Sequence, residues 1–334
     1  MDLTLTFALA LGAAIVSAVA VALLLHRAEL LPQATPNPRS LHVRPVPRVG
    51  GLAIWAGALP AMIVATAWSP AEAVGWVPAW AVLLLVSLRD DVRGVAIPIR
   101  LGAHGACALW FALWIVPAGS AGSAVHVALV LCAGLVVAWS LNLYNFMDGN
   151  DGLAALMTII GFGAYGIVGT ASATSSLVAF AVALATLPFF FVNRPPARMF
   201  MGDVGAVPLG FMAAALGLAG VLHDLWGAWF PVLVFLPFVA DATLTLLRRA
   251  GRGERWWEGH RSHYYQRLHQ LGAGHAGTLT VYAALILGTS VTAVACARVA
   301  PEWGWRVLLV WCAVLVLPFG AIDYHWARKS TGTS

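Results

Sequence analysis

The sequence has little charge. Of 334 residues only 10% are Asp, Glu, Lys or Arg, whereas 60% are hydrophobic. A soluble domain carries about a quarter charged residues, so an ordinary water-soluble fold is excluded and lipid is the expected solvent. The formal net charge of +5 is small and forms no nucleic-acid-binding tract. Lysine is nearly absent, Lys329 being the one example among nineteen cations. Arginine abundance suits bidentate phosphate contacts, but genomic base composition produces the same bias. Cysteine is scarce: Cys107, Cys132, Cys296 and Cys312 all sit in apolar runs, with no CxxC. That excludes a disulfide framework and a cysteine zinc site. The first apolar run, Met1 to Leu25, lacks a basic segment ahead of it. It reads as a retained span, not a signal peptide. No internal repeat and no second soluble domain is visible, so the whole of 1–334 reads as one membrane domain.

What remains is apolar. A span needs about 20 mostly apolar residues. Segments near 3–25, 50–68, 73–88, 99–116, 124–144, 153–169, 174–192, 204–222, 227–247, 277–297 and 304–322 meet that rule, those at 73–88 and 99–116 least well. The expected fold is all-α and polytopic, with about 10–11 transmembrane helices. Basic residues set its orientation. With the N-terminus outside, the inner segments take nearly every arginine, and the outer ones keep only Arg298 and Arg306. The acids follow the same side: Asp90, Asp91, Asp148, Asp151 and Asp203 all fall in inner segments, near 26–49, 89–98, 142–152, 193–203 and 248–276. Chemistry is therefore expected on the cytoplasmic face.

Five constellations lie there. Asp90-Asp91 closes the third span. Two adjacent carboxylates at a membrane boundary are costly unless they hold a cation or share a proton. A prenyl-synthase-like DDxxD is excluded, because position 94 is Gly. Asn142, Asn145 and Asp148 recur every three residues, a spacing that lines one helical face and extends to Asp151. Asp203, in Phe200-Met-Gly-Asp-Val-Gly, reads either as a helix cap or as a metal ligand. The segment from Arg248 to His275 packs His260, Arg261 and His263 among aromatics. Finally, Pro36 to Gly51 holds Arg39, His42, Arg44 and Arg48 in a proline-stiffened loop facing anionic groups. Carboxylates for Mg²⁺ and arginines for phosphate, on a lipid-immersed scaffold, suggest phosphoryl transfer from a soluble donor to a lipid acceptor.

The ordered set PNPRSLH…PRVGG, DD, NLYNFMDGNDGLA, FMGD and HRSHYYQRL resembles the polyprenyl-phosphate N-acetylhexosamine-1-phosphate transferases, in the branch that starts O-antigen or capsule glycans. The resemblance implies a bacterial inner-membrane enzyme that takes a UDP-N-acetylamino sugar and undecaprenyl phosphate and releases UMP. Mg²⁺ is implied as cofactor, with Mn²⁺ as a substitute, and a homodimer is compatible. It implies Asp203 as a metal ligand with Asp148 and Asp151, and Asp90 at the reaction centre beside Asp91. Asn142, Asn145 and Phe200 would hold the nucleotide, and His260, Arg261 and His263 the pyrophosphate and sugar. Arg39, His42 and Arg48 would meet the lipid phosphate. Thr35 stands where many relatives have Asp. The His-Arg-Ser-His form argues against a peptide-bearing MurNAc donor. The rival readings are a multispan transporter or flippase, which would place acids at mid-span, and a non-catalytic assembly subunit. Only Asp241 is a plausible mid-span acid.

Overall fold

The computed structural model describes residues 3–35, 41, 45–117, 124–255 and 260–330. Arg39 and His42, expected at the lipid phosphate, lie outside them, as do Trp256 to Gly259.

The apolar runs fold as helices because a helix pairs its backbone groups within its own segment, as lipid requires. They are α1 (Leu3–His26), α2 (Gly51–Trp68), α3 (Pro70–Arg93), α4 (Ile97–Ile115), α5 (Ala124–Met147), α6 (Leu153–Val168), α7 (Ala173–Asn193), α8 (Asp203–Leu222), α9 (Trp229–Val234), α10 (Leu236–Gly251), α11 (Tyr264–Leu268), α12 (Gly274–Val299) and α13 (Gly304–Ser330). Nine helical stretches among the described residues are long and apolar enough to cross a membrane. The protein is thus an all-α, polytopic membrane protein. Two of the eleven expected spans differ. The segment at 99–116 forms α4 but carries Arg100 and His104 and falls outside the nine. The segment at 227–247 is broken at Phe235 into α9 and α10, ahead of Pro237, which has no amide to continue a helix.

Local signals set the ends. Ser172 caps α7 by accepting the Ser175 amide at 3.3 Å. Gly94 ends α3 at φ 72° and Gly152 opens α6 at φ 77°, where a side chain would be strained. Helix α8 is the axis of the bundle and most of its residues are buried. Ser140 of α5 donates to the Gly210 carbonyl of α8 at 2.8 Å, and Gly210 lets the two backbones meet. Counting α9 and α10 as one crossing, the helices alternate in direction. The alternation brings the ends of α3, α5, α7, α10 and α13 and the starts of α2, α4, α6, α8 and α12 to one end of the bundle. The described parts of the five motif segments lie at that end.

A two-stranded antiparallel ribbon, β1 (Gln33–Ala34) with β2 (Val46–Pro47), sits there between α1 and α2. The chain after β2 pairs with the segment before α8. Phe200 donates to the Pro47 carbonyl at 2.7 Å, Gly50 to Phe200 at 2.9 Å and Gly51 to Met201 at 2.8 Å. Two motifs far apart in sequence are joined backbone to backbone.

Candidate active site

Helix α3 delivers Asp90 and Asp91 side by side, and they do different things. Asp91 is buried, and its carboxylate accepts the Asp203 amide at 3.2 Å and the Val204 amide at 2.8 Å. It therefore caps α8 from another helix, where a negative charge is favoured. Asp91, expected as a catalytic residue beside Asp90, has both its oxygens committed to the start of α8 instead. The consequence is for Asp203. It is the first residue of α8, its own side chain makes no cap, and its carboxylate is left for the site.

Asp90 accepts the Val95 amide at 2.6 Å and Arg100 of α4 at 2.8 Å. The same Arg100 nitrogen lies 3.4 Å from Asp203. Asp90 and Asp203 are also within hydrogen-bonding reach of each other. Arg100 thus bridges two acids from two motifs. It was legible in the sequence only as one of many inner arginines. Arg48, expected at the lipid phosphate, closes α3 instead: it donates to the Asp91 carbonyl at 2.8 and 3.2 Å and to that of Asp90 at 3.4 Å. Its side chain is still partly exposed, 3.8 Å from the Asp91 carboxylate.

Gly202 makes this junction fit. Its φ is 75°, and a Cβ there would strike the Arg48 carbonyl and come within 2.6 Å of Asp91 Oδ2. Only glycine fits both conditions.

Asp148 lies just past the end of α5, so the three-residue spacing holds as helix through Asn145 and then passes into a turn. Burial pushes the Asp148 carboxyl well above the usual carboxylate range, and Asp203, Asp91 and Asp151 add repulsion. Four acids from three motifs therefore share one electrostatic neighbourhood, with Arg48 and Arg100 as the cations facing Asp91 and the Asp90–Asp203 pair.

Other expected site residues are placed differently. Asp151, expected on the metal, accepts the Ala197 amide at 3.0 Å and lies 3.4 Å from His275. It ties the turn after α5 to the segment after α7. Asn142 donates to the Ala138 carbonyl of its own helix at 2.7 Å. Asn145 and Phe200 are half-buried and Arg261 is exposed. His263 is buried 3.3 Å from Asp241, so it does not project toward a sugar. His260 is half-buried against it, ring centroids 4.7 Å apart, and its Nδ1 meets Ser262 Oγ at 2.9 Å. Burial, with His263 and Arg249 nearby, pushes the His260 imidazole down to about 3, so it is neutral at physiological pH.

The donor chemistry suits a hard divalent cation. No group of three ligating side chains stands ready among the described residues. Asp203 and Asp148 would be the one or two carboxylates that such an ion uses, with phosphate oxygens to complete its shell.

The model of glycosyl transferase family 4 matches residues 73–221, which hold the Asp90, Asp148 and Asp203 segments. A probable undecaprenyl-phosphate N-acetylglucosaminyl 1-phosphate transferase of Bacillus subtilis is 24% identical over 261 residues, covering 74% of this chain and 72% of that protein. A decaprenyl-phosphate N-acetylglucosaminephosphotransferase of Mycolicibacterium smegmatis is 28% identical, covering 72% and 70%. A phospho-N-acetylmuramoyl-pentapeptide-transferase of Streptococcus pneumoniae is 36% identical over 109 residues, 32% of each chain. Three of the motifs that the resemblance rested on, at 90–91, 142–153 and 200–203, fall inside the matched residues, and this multi-pass membrane protein is similar to glycosyl transferase family 4 over 73–221.

Proposed function

We propose that this protein transfers an N-acetylamino-sugar 1-phosphate from a UDP-sugar to undecaprenyl phosphate at the cytoplasmic face of a bacterial inner membrane, starting an O-antigen, capsule or related glycan. The observation that carries the reading is the meeting of Asp90 and Asp203 at Arg100 at one end of the bundle, with Asp148 near enough to Asp203 and Asp91 to be repelled by them. The relatives act on polyprenyl phosphates by name, which supports the acceptor class.

In this reading a lipid phosphate oxygen attacks the β-phosphorus of the donor. The bond from that phosphorus to the bridging oxygen breaks, and UMP leaves with the electron pair. Such transfer depends mainly on positioning and electrostatics. Asp90, fixed by Val95 and Arg100, positions the lipid phosphate or accepts its proton. Arg100 offers positive charge to the transferring group. Mg²⁺, held by Asp203 and Asp148, would offset charge on the diphosphate. His260 is neutral and accepts or donates one hydrogen bond to the sugar phosphate, without carrying charge.

A transporter reading drew its support from Asp241 as a mid-span acid. Asp241 is fully occupied by groups of the protein itself, which leaves it no free oxygen to couple an ion. The test is release of UMP from UDP-GlcNAc and related donors by the purified protein, with and without undecaprenyl phosphate. Acceptor-dependent UMP and a lipid product are expected. Phosphorylated enzyme accumulating without acceptor would replace direct attack with a two-step route, and no UMP from any donor would refute the reading.

A further inference from the structure

Helix α11, which follows the arginine- and histidine-containing segment, is held tightly. Asp241 of α10 is completely buried. It accepts the Tyr264 amide at 2.8 Å and the Tyr265 amide at 3.0 Å, which open α11. Its carboxylate also takes the Tyr282 hydroxyl of α12 and the Thr245 hydroxyl, and His263 Nδ1 lies 3.3 Å away. A buried carboxylate is tolerated only when its oxygens are filled in this way. From α11, the Tyr265 hydroxyl reaches across to the Phe146 carbonyl at the end of α5, 2.9 Å away. Its phenol lies against Gly149, where a Cβ would meet the hydroxyl oxygen. Phe146 and Gly149 bracket Asp148. On the other side, Asp323 of α13 holds Arg267 at 3.0 Å and the Tyr264 hydroxyl at 3.1 Å. Tyr264 also stacks on Phe319 of α13, centroids 4.1 Å apart.

We infer that Asp241 is a positioning residue for the transfer reaction, which sets the Asp148 turn through Tyr265 while it fixes His263 beside His260. The inference rests on the proposed transferase reading for its kinetic consequence, but not for its structural one. Asp241 touches no reacting group. Its effect reaches the site along one chain of contacts: the Asp241 carboxylate, the Tyr265 amide and ring, the Phe146 carbonyl, and the turn that carries Asp148. Asparagine at 241 cannot replace the carboxylate, because its amide nitrogen would face N–H and O–H donors.

The experiment compares full-length wild type, Asp241→Asn and Tyr265→Phe by backbone hydrogen exchange and by steady-state kinetics. In Asp241→Asn, amides 264–265 and 146–149 are expected to lose protection together, with α8 unchanged. In Tyr265→Phe, 146–149 loosen while 264–265 stay protected. With UDP-GlcNAc or whichever donor is active, kcat is expected to fall at least tenfold in Asp241→Asn, while KM for undecaprenyl phosphate stays within twofold. The two substitutions combined should cost no more than Asp241→Asn alone. Unchanged exchange at 146–149 in both variants, additive losses, or a fall in activity matched by the unfolded fraction would each overturn the inference. Wild type inactive with every donor would sink the transferase reading, and the exchange data would still decide the link between Asp241 and the turn.

Discussion

Asp91 and Asp203 sit within one cap of each other, and the structure gives them opposite signatures on substitution. In Asp91→Asn the side chain keeps one acceptor but loses its charge at the start of α8. A lost capping bond costs about 1 kcal/mol, and the lost charge at a buried helix N-terminus adds roughly 1 kcal/mol. The new amide also presents N–H to a backbone N–H, about 1 kcal/mol more. Together these come to roughly 2–3 kcal/mol, or about 3–4 °C in melting temperature for a chain of this size. In Asp203→Asn one contact to Arg100 is lost, at side-chain exposures of 31% and 23%. At that exposure it contributes at most about 1 kcal/mol. Relief of repulsion with Asp90, Asp91 and Asp148 offsets it, so the melting temperature should hold or rise slightly.

Activity should separate them the other way. Asp203→Asn removes a carboxylate from the reacting phosphates and should cost at least ~100-fold in kcat, on the order of 3 kcal/mol. Asp91→Asn should lose less at a temperature where it is fully folded. The assay is a thermal melt in detergent, paired with UMP release below both melting points. Asp91→Asn melting with wild type, or Asp203→Asn melting as low as Asp91→Asn, would refute the division into a cap and a free acid.

Gly202→Ala should fail to accumulate or melt more than about 5 °C low, because its cost combines a backbone conformation disfavoured by roughly 1–3 kcal/mol with the clash at Arg48; an intact melt would disprove the fit at that junction. The raised Asp148 carboxyl binds a proton in the folded state that the unfolded chain has released above its ordinary 3.8, so ligand-free stability should fall as pH rises through that range. Asp148→Asn should flatten this slope, as measured by melts across a pH series. The depressed His260 imidazole reverses the sign: between about 3 and 6.5 the unfolded chain takes up a proton that the folded state refuses, so His260→Gln should reduce acid sensitivity below pH 6.5 while leaving the pH–rate profile above 6.5 unchanged in shape. Chelation of divalent ions should abolish UMP release, and Mg²⁺ should restore it.

Much of the fold was legible because lipid enforces it. Where every backbone group must be paired internally, a 20-residue apolar run has one solution, and the eleven expected segments map onto helices. The break at Phe235 was not, since hydropathy does not register where a proline-led helix restarts. The site was legible as a set of segments, because polar residues between apolar spans have no packing reason to exist. Their division of labour was not. Asp90 and Asp91 are identical in sequence terms and differ by about one hundred degrees around α3, which sends one to Arg100 and the other to the α8 amides. Likewise Asp151 continues the spacing of Asn145 and Asp148, but the helix ends at Met147, so the periodicity no longer fixes direction. Arg100 and Tyr265 needed the fold: each acts on a partner from a different helix.

The charge balance of the site has a direction. Among the described residues, the cations at contact distance of Asp90, Asp91 and Asp203 are Arg48 and Arg100, and both guanidiniums are already shared with carbonyls or with a second acid. A bare diphosphate entering this neighbourhood would meet more negative charge than positive. The acids that are not committed to the fold, Asp148 in the turn after α5 and Asp203 at the start of α8, repel one another, and a cation between them would relieve that repulsion. Cation and donor should therefore bind with mutual reinforcement: the apparent affinity for the UDP-sugar should rise with Mg²⁺ concentration, and by linkage the affinity for Mg²⁺ should rise by the same factor with the sugar nucleotide. Isothermal titration of each in the presence and absence of the other measures both factors. Equal affinities in all four arms would mean that Asp148 and Asp203 do not share an ion.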